Sequence, residues 1–359
     1  MLILFTGGSG CGKSSYAEDL CARLANAGGS RESSGSSCAA GRAPLYYIAA
    51  MKPFGEGSQE KIARHRRMRA EIGFTTIERY TDLAGLTLPK TERRPVALLE
   101  CIANLTANEM FDDEGRSRDP YEPVITGVRA LAAQCGHLIV VTNDVGSDGG
   151  GYGELTEEYV RVIGKINAVL AAEADAVCEM VFGCPKVIKG KLPDKEHTEP
   201  QKPAVSGENE DKKHMLLIVG AEGSGKRTYA ESLGYPAETM ENAEMKDERS
   251  DRTPSAGIYH TEALVKGIAA ADAKTVSKKD MDARVDEIAD RLNCYEIILA
   301  NEVGNGVIPL EPEVRREREA AGRLVTLLAK RADTVVRMVC GIPVVLKGEL
   351  PPAKTCQNE

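Results

Sequence analysis

The sequence predicts an α/β protein built from two domains, each a mostly parallel sheet with helices on both faces. Three observations predict it: the chain repeats itself, short apolar runs alternate with helical patterns, and both copies place a glycine-rich loop between a strand and a helix. The repeat is read from three matched blocks in the same order. LILFTGGSGCGKSSYAE (2–18) recurs as LLIVGAEGSGKRTYAE (216–231), and LIVVTNDVG (138–146) as IILANEVG (297–304). LAAEADAVCEMVFGCPKVIKGKLP (170–193) recurs as LAKRADTVVRMVCGIPVVLKGELP (328–351). Three blocks in register mean a tandem duplication. Residues 1–192 form the complete first copy and 215–352 the second. Residues 193–214 are polar, with three prolines and no apolar periodicity, which is a linker composition, and 353–359 are a tail. The Ser/Gly-rich stretch 28–42 reads as a surface insertion within copy one.

In copy one, residues 2–6 are an apolar strand ending in the glycine loop, and 14–27 have helical spacing. Residues 45–49 read as a strand, 59–72 as a basic helix and 96–100 as a strand. A helix at 124–135, a strand at 138–142, a helix at 159–173 and a strand at 176–182 complete the alternation. Such alternation implies a parallel sheet covered on both faces.

Composition narrows the function. A chain of 359 residues allows two or three domains. A net charge of −8 argues against a general nucleic-acid binder, which needs a basic face. No apolar run reaches the roughly 18–20 residues of a membrane span, and residues 1–5 read as a buried strand rather than a signal peptide. Ten scattered cysteines without a Cys-x-x-Cys pair fit reduced thiols in a cytoplasmic protein.

The loop of copy one is Gly7-Gly8-Ser9-Gly10-Cys11-Gly12-Lys13-Ser14, the full G-x-x-x-x-G-K-S pattern of a P-loop. Glycines let backbone N–H groups turn inward around phosphates, and the helix N-terminus adds partial positive charge. Lys13 reaches the β- and γ-phosphates of ATP or GTP, and the Ser14 hydroxyl ligates Mg²⁺. Copy two reads Gly220-Ala221-Glu222-Gly223-Ser224-Gly225-Lys226-Arg227. Arg227 stands where the metal-binding hydroxyl belongs, and a guanidinium has no lone pair to offer a cation. A second strand should end in an acid near the metal. In copy one, Ala97-Leu98-Leu99-Glu100 supplies Glu100, as a ligand of the Mg²⁺ water shell or an orienter of the acceptor hydroxyl. Copy two, aligned by eye, offers Gly257-Ile258-Tyr259-His260, which has no acid.

The run Lys61-Ile62-Ala63-Arg64-His65-Arg66-Arg67-Met68-Arg69 is dense in positive charge. Neighbouring like charge favours the neutral, nucleophilic imidazole of His65, and the arginines suit a polyphosphate. A solvated basic helix with an incidental histidine fits the same residues.

Taken together, these segments resemble the bifunctional adenosylcobinamide kinase / adenosylcobinamide-phosphate guanylyltransferase family of cobalamin biosynthesis. The pieces are TGGSGCGKSSYAE (6–18), YYIAA (46–50), KIARHRRMR (61–69), TTIE (75–78), LLECIANLTANEMF (98–111), VVTNDVG (140–146), GKINAVLAAEADAV (164–177) and VFGCPKVIKG (181–190). The resemblance implies RecA-like domains and two reactions. A nucleoside triphosphate phosphorylates the hydroxyl on the aminopropanol arm of adenosylcobinamide; GTP then guanylylates a histidine, and the GMP passes to the cobinamide phosphate. The histidine falls on His65. Nucleotide contacts fall on Gly7 to Ser14, on Ala50, Met51 and Lys52, on Arg69, and on Glu78 and Glu100. Such enzymes assemble as trimers with sites at subunit interfaces, so a homo-oligomer with pseudo-symmetric contacts between copies is expected.

The sequence also departs from the family. Phe74 stands where a tryptophan is usual, and Ala70 where a proline is usual. Copy one follows Asn143-Asp144-Val145-Gly146 with SDGGGYG and no proline, whereas copy two keeps Asn301-Glu302-Val303-Gly304-Asn305-Gly306-Val307-Ile308-Pro309. Copy two lacks the histidine helix: about thirty residues separate its first helix from the lost acid, against about eighty in copy one, more than ordinary loop variation. Copy one is therefore expected to carry the chemistry and copy two to be a degenerate partner. A kinase without the guanylyl step, and a nucleotide-binding scaffold, are the alternatives.

Overall fold

The computed structural model describes residues 1–27, 41–52, 69, 71–111, 117–147, 152–193, 214–243, 256–265, 278–307, 309 and 311–350. The chain divides into two compact units, built mainly on copy one and on copy two.

Copy one runs β1 (Leu2–Thr6), α1 (Lys13–Asn26), β2 (Leu45–Ala49), β3 (Phe74–Glu78), β4 (Val96–Glu100), α2 (Ile102–Met110), α3 (Tyr121–Gln134), β5 (His137–Val141), α4 (Glu154–Glu173), β6 (Ala176–Val181) and β7 (Cys184–Lys189). The strands lie in the order β3-β2-β4-β5-β1-β6-β7, and every pair from β3 to β6 is parallel. Ile3, Leu4 and Phe5, then Ala97, Leu98 and Leu99, then Leu138, Ile139 and Val140 are buried in succession. Successive strand residues point to opposite faces, so unbroken burial means that both faces are covered, as the continuous apolar runs predict.

Copy two runs β8 (Leu216–Gly220), α5 (Lys226–Ser232), β9 (Met240–Asn242), β10 (Gly257–Tyr259), α6 (Lys278–Leu292), β11 (Ile297–Asn301), α7 (Pro312–Arg331), β12 (Thr334–Val339) and β13 (Ile342–Lys347). Its order, β13-β12-β8-β11-β10-β9, is that of copy one read from β7 to β2. A counterpart of β3 is missing among the described residues. The closing pair β12–β13 is antiparallel.

The third repeated block explains how each sheet is closed. Asp175 Oδ2 accepts from Leu2 N at 2.7 Å, and Asp333 Oδ2 from Met215 N at 2.9 Å, so in each copy one aspartate ties the first strand to the start of its neighbour, β6 or β12. Lys189 Nζ donates to the carbonyls of Ala171 and Ala172 at the end of α4; Lys347 Nζ does the same for Ala329, Lys330 and Ala332 at the end of α7. A cation there satisfies carbonyls left without helical partners and opposes the negative end of the helix dipole. The following glycines, Gly190 and Gly348, have φ of 69° and 71°. A Cβ on either would lie 1.9 or 2.2 Å from the carbonyl oxygen of Asp175 or Asp333.

The structure moves some predicted boundaries. The third helix begins at Tyr121, not 124, because Pro123 sits in its first turn, where no N–H is needed. The next begins at Glu154, five residues before the predicted start, behind an extended Gly153, with Glu154 and Glu157 in the first turn where their charge favours the helix N-terminus. Strands β3 and β7 and helix α2 were not distinguished as elements in the sequence. Most of the insertion 28–42, the linker 193–214, the run 147–153 and the whole tail 353–359 lie outside the described residues. No described helix is long and apolar enough to cross a membrane. The eight described cysteines are free thiols, six of them buried.

The Gly190 position offers a direct check of this closure. Gly190→Ala forces a left-handed alanine against a backbone carbonyl and lowers stability by roughly 2–4 kcal/mol, read as a drop in thermal midpoint. Gly153→Ala is the control: its φ is −67° and nothing lies within 4 Å of the added carbon, so the midpoint stays put.

Candidate nucleotide-binding site

The glycine loop follows β1 and opens α1. Gly10 and Gly12 take φ of 77° and 90°, and in copy two Gly223 and Gly225 take 70° and 90°, so both loops follow a similar path. A Cβ on Gly12 would stand 3.3 Å from Gly183 Cα. Gly183 N, in the turn between β6 and β7, donates to Cys11 O at 2.7 Å; Gly341 N donates to Ser224 O at 3.1 Å in copy two. The hairpin turn therefore anchors the loop in each copy. Lys13 is buried, and its Nζ donates to Gly7 O at 2.8 Å, which lays the cation along the loop.

Glu100 ends β4 and meets the first turn of α1. Ser14 Oγ donates to Glu100 Oε1, and Tyr47 Oη donates to Glu100 Oε2 at 2.6 Å. Arg69 lies over the Tyr47 ring, its Cζ 3.5 Å from the centroid, and its Nε donates to Glu18 Oε1 at 2.9 Å. An Arg69 Nη2 is 3.9 Å from Glu100 Oε2. Burial, and then the negative charge of Glu100, push the Tyr47 phenol well above its ordinary range, so it stays protonated as a donor. Burial raises the Glu18 carboxyl and Arg69 opposes the rise. The Ser14 hydroxyl and the Glu100 carboxylate are adjacent hard oxygen donors. They fit magnesium, which takes one or two protein oxygens and completes its shell with phosphate and water.

The remaining predicted residues follow the carboxyl ends of the parallel strands, where open α/β sheets bind ligands. Glu78, Ala49 and Glu100 pair across β3, β2 and β4 as one row. Ala50 is buried, and its N donates to Glu100 O at 2.9 Å while its O accepts from Asn108 Nδ2 at 2.7 Å. Met51 is exposed and Lys52 half-buried beside it, and Glu78 is exposed two strands from Glu100. Lys13, Ser14, Glu100 and Arg69 are thus brought together, Ala50 to Lys52 border them, and Glu78 stands apart. His65 lies outside the described residues, as does the rest of its basic run except Arg69, which is helical. Tyr47, Glu18 and Asn108 escaped the sequence reading. Each sits inside a segment that resembles the family, but a tyrosine in a fully buried strand looks like any core residue.

Copy two differs where the chemistry would be. Pairing registers align Ile297 with Ile139, since both face the strand before the loop at Leu216 and Ile3. Gly257 opposes Ile297 and Leu98 opposes Ile139. Tyr259 therefore takes the place of Glu100, and His260 that of Cys101, one residue away from the match expected from the sequence, in which His260 stood for Glu100. Arg227, in the place of Ser14, stacks on Tyr259 with Cζ 4.4 Å from the ring centroid. Lys226 Nζ donates to Gly220 O and Ala221 O at 3.0 and 2.7 Å. Burial lowers its pKa, while Glu222, Glu262 and Glu302 pull the other way. Asn301 Nδ2 donates to Glu222 and to Glu262, each at 2.6 Å, holding two carboxylates near the lysine. Glu302 is paired with Arg337 through two hydrogen bonds of 2.7 and 3.1 Å.

A family model described as cobinamide kinase / cobinamide phosphate guanyltransferase matches residues 3–188 and 255–346, which takes in parts of both copies. The bifunctional adenosylcobalamin biosynthesis protein CobU of Escherichia coli (strain K12) is 29% identical over 53% of this chain and 100% of its own length. The protein of the same name from Salmonella typhimurium (strain LT2) is 28% identical over 53% of this chain and 100% of its own. The bifunctional adenosylcobalamin biosynthesis protein CobP of Pseudomonas aeruginosa (strain PAO1) is 27% identical over 52% of this chain and 97% of its own. A phosphate loop, a carboxylate on the neighbouring strand end and a match over most of two tandem copies lead to one conclusion: the chain belongs to the cobinamide kinase / cobinamide phosphate guanyltransferase family.

Proposed function

We propose that copy one phosphorylates the hydroxyl on the aminopropanol arm of adenosylcobinamide with ATP or GTP, then transfers GMP from GTP to that phosphate. The observation that carries the proposal is the meeting of Lys13, Ser14 and Glu100 at the carboxyl ends of parallel strands in a chain of this family. Loop amides and Lys13 hold the β- and γ-phosphates. Ser14 and Glu100 would hold Mg²⁺, which neutralises charge on the transferring phosphoryl group when bound. In the second reaction His65 attacks the α-phosphorus of GTP; a P–N bond forms and the bond to pyrophosphate breaks. A phosphate oxygen of the phosphorylated cobinamide then displaces the histidine, and the imidazole is regenerated. Ala50, Met51, Lys52, Arg69 and Glu78 complete the proposed nucleotide contacts. Assembly into a homo-oligomer is part of the proposal and is read from the mass in solution.

Incubation with GTP labelled at the α-phosphorus is expected to give an acid-labile protein adduct, absent in His65→Ala and in Lys13→Ala. His65→Ala keeps kinase turnover within about threefold, because the histidine has no part in the first transfer. Phosphorylated product without any adduct in the wild type would mean a kinase alone, and nucleotide binding without product would mean a scaffold.

Copy two carries a second, opposite reading. Arg227 on Tyr259 replaces the hydroxyl and the carboxylate together, and Glu222 and Glu262 put negative charge where phosphate would approach. The chain is expected to bind one Mg²⁺–nucleotide. Lys13→Ala weakens that binding by at least about tenfold, and Lys226→Ala leaves it within about twofold, measured by equilibrium titration. Two equivalents bound by the wild type would refute the assignment for copy two.

A further inference from the structure

The duplication supplies an internal comparison. Pairing registers place Met240 where Tyr47 stands, since Met240 opposes Gly257 as Tyr47 opposes Leu98. Copy two therefore has Arg227 for Ser14, Tyr259 for Glu100 and Met240 for Tyr47, and no described counterpart of Arg69. It retains Glu231 in the place of Glu18, the loop glycines, the loop lysine and the hairpin-turn hydrogen bond. What holds the fold is retained in both copies. What changed is the set of groups that touch Glu100.

That set is tightly organised in copy one. A carboxylate at a strand end is free to rotate about its last bonds unless its oxygens are held. Here each oxygen accepts from a different hydroxyl: Ser14 Oγ from the helix, and Tyr47 Oη at 2.6 Å from the neighbouring strand. Tyr47 is almost completely buried and cannot swing away. Its ring is covered by the Arg69 guanidinium at 3.5 Å, and Arg69 is fixed in turn by Glu18 at 2.9 Å. Cation–π stacking and a charge-assisted hydrogen bond thus hold a side chain whose only polar atom is aimed at Glu100.

We propose that Tyr47 is a positioning residue of the phosphoryl-transfer site: its hydroxyl fixes the Glu100 carboxylate toward Ser14, and Arg69, tied to Glu18, locks the tyrosine in place. The inference rests on the proposed role of Ser14 and Glu100 as the metal-side pair. As a positioning residue Tyr47 acts through its hydrogen bond to Glu100 rather than on the nucleotide or the metal.

The test is a titration with Mn²⁺, in place of Mg²⁺, against the full-length protein saturated with a non-hydrolysable ATP analogue. Glu100→Gln is expected to weaken Mn²⁺ by about tenfold or more, and Tyr47→Phe by about tenfold, the size of one hydrogen bond to a charged group. In Tyr47→Phe, kcat for phosphorylation falls by a similar factor. Metal-free binding of the analogue stays within about twofold and the thermal midpoint within about 2 °C, which a merely structural role would not allow. Added to Glu100→Gln, Tyr47→Phe changes Mn²⁺ affinity by less than about twofold. If Glu100→Gln weakens the metal and Tyr47→Phe does not, or if the two losses multiply, the role of Tyr47 is overturned while the metal-side pair stands. If Glu100→Gln leaves Mn²⁺ unchanged, the pair and the role of Tyr47 fall together.

Discussion

The hydrogen bond from Ser14 to Glu100 is the constraint on which the site depends. It joins the first turn of α1 to the end of β4, although β1, the strand that leads into α1, is separated from β4 by β5 in the sheet. For the two side chains to meet, α1 must cross from the loop after β1 over β5 toward β4. A parallel sheet covered on both faces allows that crossing, and its twist brings successive strand ends around the loop. The buried runs in β1, β4 and β5 are therefore more than a core. They fix the distance between a phosphate loop and a carboxylate that lie far apart in the chain.

Duplication separates what the fold requires from what the chemistry requires. The aspartate, lysine and glycine that close each sheet recur with nearly the same geometry. So does the bond from hairpin turn to loop. A loop that kept its shape only to bind phosphate would have no reason to keep it in copy two, where the groups around Glu100 are gone. The shape persists because the loop is also the connection from the first strand to the first helix, and the hairpin turn packs against it. Gly12 and Gly225 are held to glycine by that approach as well as by their backbone angle.

Much of this was legible in the sequence, for identifiable reasons. The parallel sheet showed because strands buried on both faces read as unbroken apolar runs, and the loop because glycine and lysine spacing there is dictated by backbone geometry. Pro123 displaced the predicted start of a helix because proline inside a helix and proline in its first turn look alike in a pattern. Strand β7 was hidden by its polar and exposed positions near the sheet edge. Tyr47 was hidden for the opposite reason. In a strand buried on both faces, burial carries no information about which hydroxyl is aimed at a partner. The match of Tyr259 to Glu100 needed strand pairing, because one residue of difference between two repeated strands is invisible without the neighbour that sets their register.

The two copies also differ in how the same place is charged. In copy one a hydroxyl and a carboxylate meet beside a buried lysine, two hard oxygen donors of the kind a divalent cation takes. In copy two a guanidinium fixed to the chain stands where the hydroxyl was, and a neutral ring where the carboxylate was. That exchange turns an anionic corner into a cationic one. A positive corner alone would attract phosphate, yet the surroundings oppose it. Glu222 lies within the loop, Glu262 is held with it by Asn301, and Glu302 already has its arginine. The lysine of copy two therefore faces carboxylates supplied by its own chain. These carboxylates oppose the pull of the loop lysine on a phosphate, while the sheet and its anchors stay intact.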